Sequence, residues 1–286
     1  MNILKDFLIP PGSNVQLKAF KTDATRKHDS KSSARSTIQH LQKRLDVLQF
    51  RLYAEHRRSL LICLQALDAG GKDGVIRHVL ASMSPQGCRV VGFKQPSAEE
   101  LDHDFLWRVE HATPKRGEIV IFNRSHYEDV LVVRVHDLVP KQVWSQRYEQ
   151  INDFERRLAA NGTHILKFFL HMGKDEQLKR FKKRLDNPER QWKISEADYT
   201  EREYWDDYEA AYEDAIGKCS TSDAPWYVIP SDHKWFRDLA ISTIVVDTME
   251  KLALQLPPPS LDIDTIRQKY HEAVGRSVSV HSAKKD

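Results

Sequence analysis

Cysteine is scarce: the 286 residues hold three, Cys63, Cys88 and Cys219. An odd number at wide spacing supplies neither a disulfide framework nor the paired spacing of a zinc site, which fits a reducing cytoplasm. Long hydrophobic runs are missing too. No stretch approaches the roughly 18 apolar residues of a membrane span, and the N-terminal run is short and broken by Pro10 and Pro11, unlike a secretory signal. Charge of one sign is also lacking. Forty-four Lys and Arg stand against 41 Asp and Glu, a net +3, so bulk charge gives no argument for nucleic acid. The basic residues are clustered instead, at 179–184 and 190–193, and where those clusters face matters more than their sum. A chain of this length can bury one large core without staples.

What is present is organised around LLICLQALDAGGKDG, residues 60–74. Leu60, Leu61, Ile62, Cys63 and Leu64 have the length and character of a buried strand. Gly70 and Gly71 make a turn, Lys72 closes it, and the pattern predicts a helix over 75–83. A strand, a glycine turn with a lysine, and a helix suit a phosphate, because backbone N–H groups can face the anion while the lysine adds a full charge. The usual pattern G-x-x-x-x-G-K-[ST] asks for glycine at 66 and Ser or Thr at 73, where this chain has Ala66 and Asp73. An ordinary strand–turn–helix corner stays open for this stretch alone.

Residues 1–33 read as a polar, irregular arm over the surface. Ile38, Leu41, Leu45, Leu48 and Leu52 recur at steps of three and four, the stripe of an amphipathic helix over 33–56. Further strands are expected at 89–93, 118–123, 164–170 and 225–230. Helices are expected at 98–111, 140–160, 175–185, 196–216 and 235–254. Ser97 with Glu99 and Glu100 reads as a helix cap and an acidic first turn. Pro257, Pro258 and Pro259 end the ordered part, leaving a mobile tail with a weak helical patch at 263–274. Short apolar strands alternating with longer helices give an α/β fold whose parallel sheet is covered on both faces. Ligands of such sheets sit at the carboxyl ends of the strands. Two polar clusters fall there, at 68–72 and at 123–128.

An acid inside an anion-binding loop would repel its ligand. Asp68 makes sense if it holds Mg²⁺ or orients an attacking phosphate; an Asx-turn is the plain alternative. Asn123 ends a strand where a metal-linked aspartate is common, and keeps the oxygen without the charge. Arg124 is suited to neutralising a phosphoryl group in transfer, or to a surface ion pair. Glu128 and Arg134 are either site groups or an internal ion pair. His126 reads as a structural hydrogen-bonding residue rather than a base. The run from Arg180 to Lys193 is either a flap that closes on a polyanion or a solvated helix face.

Taken together, LQALDAGGKDG, FKQPSAEELDHDFLWR, IFNRSHYEDVLVVRVH, RLDNPERQWKISEADY, WDDYEAAYEDA and APWYVIPSDHKWFR resemble the polyphosphate kinase 2 family, in colinear order over roughly residues 10–256. The Asn-Arg-Ser-His-Tyr-Glu-Asp version resembles the subgroup that acts on both nucleoside mono- and diphosphates. The resemblance implies a P-loop kinase-like, three-layer α/β/α fold with a helical lid. It puts Asp68 and Lys72 in the Walker A loop, with Ala69, Gly70, Gly71, Asp73 and Gly74 as phosphate-binding neighbours. The Walker B position falls on Asn123, followed by Arg124. Glu128 stands where the subgroup carries the acid associated with monophosphate use, and Lys94 and Arg134 are further phosphate-binding candidates. The lid, about 184–205, includes Arg184, Arg190 and Lys193. Ala66 stands where the family commonly has glycine, and Gly70 where it usually has alanine.

The expectation is therefore a cytoplasmic, homo-oligomeric polyphosphate:nucleotide phosphotransferase. It would use Mg²⁺, held by Asp68, and bind neither nucleic acid nor membrane. Its organisation would be an arm (1–33), a phosphotransferase domain (34–258) and a flexible tail (259–286). An ATP-dependent nucleoside monophosphate kinase and a non-enzymatic polyanion-binding protein are the alternatives.

Overall fold

The computed structural model describes residues 3–25 and 30–282. Met1–Leu254 forms one compact unit and Gln255–Asp286 another. In the first, β1 (Leu8–Ile9), β2 (Ser59–Gln65), β3 (Cys88–Gly92), β4 (Ile119–Asn123), β5 (Thr163–His171) and β6 (Trp226–Pro230) form a sheet of order β1-β6-β5-β2-β4-β3. β2 is central, with Leu60 opposite Ile119 of β4 and His164 of β5. Every pairing is parallel except β1 with β6.

Strand residues alternate between the two faces. Leu60, Ile62, Leu64, Ile121, Phe168 and Ile229 pack into one core, and Leu61, Cys63, Val120, Phe122 and Ile165 into another on the opposite side. Both faces are covered, so β2 is apolar nearly throughout; a buried Leu or Ile side chain contributes about 1.5–3 kcal/mol.

The helices are α1 (Ile3–Phe7), α2 (Lys31–Glu55), α3 (Lys72–Val75), α4 (Ala98–Leu101), α5 (Trp107–Glu110), α6 (Val132–Val135), α7 (Lys141–Ala160), α8 (Lys174–Leu185), α9 (Glu196–Thr200), α10 (Trp205–Cys219) and α11 (Lys234–Lys251). The expected stripe on α2 is present, with Leu45, Leu48 and Leu52 buried, and α2 packs along α11. On the other face α7 and α10 bring Tyr148, Ile151, Ala211 and Tyr212 together. This is the three-layer α/β/α architecture expected. All three cysteines are free, with Cys63 and Cys219 buried. Among the described residues no helix is long and apolar enough to cross a membrane.

Four expectations need correction. Residues 3–9, expected within a surface arm, are packed into the domain instead. Ile3, Phe7 and Ile9 are buried, Phe7 meets Phe236 edge-to-face, and Leu8–Ile9 add an antiparallel edge strand to the expected parallel sheet. The helix expected over 98–111 is split into α4 and α5. Ser97 caps α4 as expected, and Glu100 returns the cap to the Ser97 N–H, but the Asp104 carboxylate accepts from the Leu106 N–H (2.9 Å) and starts a new turn. The helix expected over 196–216 breaks between α9 and α10, where i→i+3 bonds at Arg202, Glu203 and Trp205 tighten the backbone. The second unit carries a full helix, α12 (Ile263–Ser282), whose start is capped by the Asp262 carboxylate.

Candidate active site

β2 feeds the loop 66–71, and α3 begins at Lys72. The loop holds two left-handed residues, Ala69 (φ 59°) and Gly71 (φ 109°). Gly71 must be glycine on two counts: its φ, and a Cβ there would lie 1.9 Å from Nη1 of Arg237. A Cβ on Gly70 would lie 2.4 Å from that of Ala66. Positions 66 and 70 therefore have room for one methyl between them, and the two departures from the family pattern are a single coupled exchange.

The loop is held from behind. Arg180, on α8, donates to the carbonyls of Ala69 (2.9 Å) and Gly70 (3.1 Å), and also to those of Ser231 and Asp232. Gln177 donates to the Asp68 carbonyl at 2.8 Å. Arg237, 1% exposed, lies under Gly71 and Gly74 and pairs with Asp238 at 2.6 Å. These bonds fix the loop before any ligand arrives.

Lys72 donates to the Ala66 carbonyl at 2.7 Å. Burial, then the neighbouring Arg124, pulls its ammonium down to about 8. Burial works against the charge of Asp73, but bonds from Lys193 (3.0 Å) and the Asn123 amide (3.1 Å) outweigh it and hold the carboxyl below its usual range.

β4 delivers the second cluster. Arg124 has φ 64° and its N–H is held by the Leu64 carbonyl at 3.1 Å. Its guanidinium reaches Asp68 at 3.0 Å and Glu128 at 3.7 Å. Burial opposes that charge, but the two acids raise the pKa above the usual arginine value. Asp68, Arg124 and Glu128 line one wall of a cavity of about 180 Å³, with Trp205, Tyr208 and Tyr212 also lining it. The break between α9 and α10 brings in Glu201 and Arg202; Tyr208 donates to Glu201 (2.8 Å) and Arg202 to Gln177 (2.6 Å). Lys234, the first residue of α11, is exposed, yet partial desolvation, then Arg180, Arg237, Lys183 and Arg190, pushes its ammonium down. Such a crowd of like charges is relieved by an anion.

The family model for polyphosphate kinase 2 matches residues 28–257. The chain belongs to the polyphosphate kinase 2 family. It is accordingly a kinase-type transferase. Among its relatives, the AMP/ADP-polyphosphate phosphotransferase of Meiothermus ruber is 51% identical over 257 residues, 90% of this chain and 96% of that protein. The ADP-polyphosphate phosphotransferase of Rhodopseudomonas palustris is 47% identical, over 88% of this chain and 92% of that one. The crystal structure of Polyphosphate Kinase 2 from Arthrobacter aurescens TC1 superposes with a TM-score of 0.92 at 39% identity, covering 95% of this chain and 97% of that one.

Among polyphosphate kinase 2 features expected from the sequence, Asp68, Lys72, Asp73, Asn123, Arg124, Glu128 and Lys193 are brought together. Arg134 is not among them: it is paired with Asp214 at 2.6 Å, bonded to Tyr148 and stacked over Trp144, away from the cavity lining. Lys94 is exposed beyond the edge strand β3, and its carbonyl accepts from Arg108 at 2.9 Å. Arg184 is tied into its own segment by the Lys193 carbonyl (3.2 Å) and Asp198 (3.7 Å), whereas Arg190 is exposed. Arg180, expected at the start of a closing flap or of a solvated helix face, is instead buried and supports the loop, as do Gln177 and Arg237; an arginine buried on a helix face needs such partners.

Proposed function

We propose that this polyphosphate kinase 2 family member transfers the terminal phosphoryl group of inorganic polyphosphate to nucleoside mono- and diphosphates. AMP and ADP are the acceptors foremost, with GMP and GDP beside them, and the products are the di- and triphosphates. The observation that carries the reading is the approach of Lys72 and Arg124 to one loop, with Asp68 and Glu128 on Arg124. Phosphoryl transfer needs that combination. A phosphate oxygen of the acceptor forms the new bond to phosphorus as the bridging P–O bond of the donor breaks, and the shortened polyphosphate leaves as an anion. Both reactants are already ionised, so no protein base is required. Catalysis is alignment plus cations on the moving charge, supplied here by Lys72 and Arg124.

Asp68 fits Mg²⁺. Its carboxylate is about a third exposed, on the cavity wall. Among the described residues no group of three His, Cys, Asp or Glu side chains could hold a metal without help. Mg²⁺ suits this, since it keeps waters and takes one or two carboxylates with substrate phosphates. Bound there, it would neutralise charge on the phosphate oxygens.

The lid, about 184–205, closes over the polyphosphate with Arg190 and Lys193 facing it and Arg184 as its internal anchor. Glu128 favours the acceptor end that carries a monophosphate. The test is purified protein with AMP, Mg²⁺ and long-chain polyphosphate, and no ATP. ADP and then ATP are expected. No product there, with ADP formed once ATP is supplied, would make a nucleotide the donor and overturn the reading.

A further inference from the structure

Behind Arg124 and Glu128, on the side away from the cavity, lies a charged cluster that phosphoryl transfer does not touch. Lys167 of β5, Glu155 of α7, and His126 and Tyr127 of the turn after β4 are all fully buried. The Lys167 ammonium donates to Glu155 (2.5 Å), the Tyr127 hydroxyl (2.8 Å) and the Cys219 carbonyl (2.6 Å), using all three of its donors. Glu155 also accepts from the Tyr127 hydroxyl (2.9 Å) and pairs with Nε2 of His126 (3.1 Å). Ser125 is buried in the same turn, accepting from the Tyr127 N–H and from Gln65, both at 3.2 Å.

A buried ion pair of this kind is weak evidence for stability. Apolar residues of similar volume often serve as well, and what the charged version can add is one defined geometry. The turn it grips is the 3₁₀ segment His126–Val130, entered through Arg124 at φ 64°. Residues 126 and 127 point into the cluster, while Arg124 and Glu128 line the cavity. We infer that Lys167 and Glu155 are positioning residues for phosphoryl transfer: with His126 and Tyr127 they form a buried lock on the turn that sets where Arg124 stands. Burial lowers the pKa of His126 despite its bond to Glu155, so the ring is neutral. Lys167 and Glu155 then balance each other's charge inside the lock.

This rests on the role proposed for Arg124, so the test separates the two. Four proteins are compared in the AMP and polyphosphate assay: wild type, Lys167→Met/Glu155→Gln, Arg124→Lys, and all three changes together. Wild-type turnover and the Arg124→Lys loss report on the proposed reaction and on the arginine. The lock variant is expected to melt cooperatively and to lose about tenfold or more in kcat, with KM for AMP changed by less than about threefold. In the Arg124→Lys background the same lock change should cost less than about threefold, because the group it positions is already displaced. Unchanged kcat in the folded variant, or an undiminished loss in the Arg124→Lys background, would overturn the inference. If the variant does not fold, Tyr127→Phe removes a single hydroxyl of the lock. It should lose about threefold in kcat, with little loss once Arg124 is Lys; no loss, or an equal loss in both backgrounds, overturns the inference as well.

Discussion

Arg180 and Arg237 lie behind the phosphate-binding loop, 6% and 1% exposed, while Arg190 stands exposed and Lys193 reaches across to Asp73. The four carry the same charge and do different work. The buried pair directs its N–H groups at loop carbonyls and at Asp238, which shapes the loop and leaves two positive charges beneath it. The outer pair is the one proposed to meet polyphosphate, with Arg190 exposed and Lys193 paired to a carboxylate at the surface. Stability should follow the inner cations and substrate handling the outer ones.

The largest effect lies between the two sets, at the loop itself. Asp68→Ala is expected to lower turnover by about a thousandfold or more while leaving the melting curve intact, since the carboxylate is partly exposed and lines the cavity. Activity within tenfold of wild type would sink the role given to Asp68. Next comes the inner set. Arg237→Ala removes the partner of buried Asp238 and should destabilise the fold by about 3–5 kcal/mol in urea unfolding. A change below about 1 kcal/mol would erase the distinction between inner and outer cations.

The pH dependence is a gentler probe. With its ammonium at about 8, free Lys72 is neutral at higher pH, and a bound phosphate draws the proton back. Binding therefore takes up a proton above pH 8. KM for polyphosphate should be flat below pH 8 and rise above it by up to about tenfold per pH unit. Steady-state kinetics between pH 6.5 and 9.5 would show this rise, and a flat profile would place the titration elsewhere. The smallest effect belongs to the rim. Arg190→Ala should raise KM for polyphosphate by no more than about fivefold and leave the unfolding midpoint unchanged.

Much of this arrangement could be read from residues alone. The apolar runs at 60–64 and 118–123 fixed two adjacent strands, and their polar continuations converge as expected, with Asn123 bonded to Asp73 and Arg124 to Asp68. The N-terminal edge strand escaped because two residues, Leu8 and Ile9, make no periodicity, and their partners Tyr227 and Trp226 lie far along the chain. Helix breaks at 102–106 and 201–204 escaped because they depend on where Asp104 and Arg202 bond, not on composition. Arg134, in the same segment as Glu128, read as either a site group or an internal ion pair, and the ion pair is what forms. Its position on the short α6 turns it toward Asp214 of α10. Long side chains can reach either way from a loop, and sequence distance does not say which.

The most direct measurement is the rate at which Lys72→Ala forms ADP from AMP, Mg²⁺ and polyphosphate, taken beside its thermal melt. The account predicts a melt close to wild type and a rate reduced by about a thousandfold or more, because Lys72, held at the loop by the Ala66 carbonyl, is the cation proposed to meet the transferred phosphoryl group. A near-normal rate in the folded variant would contradict it.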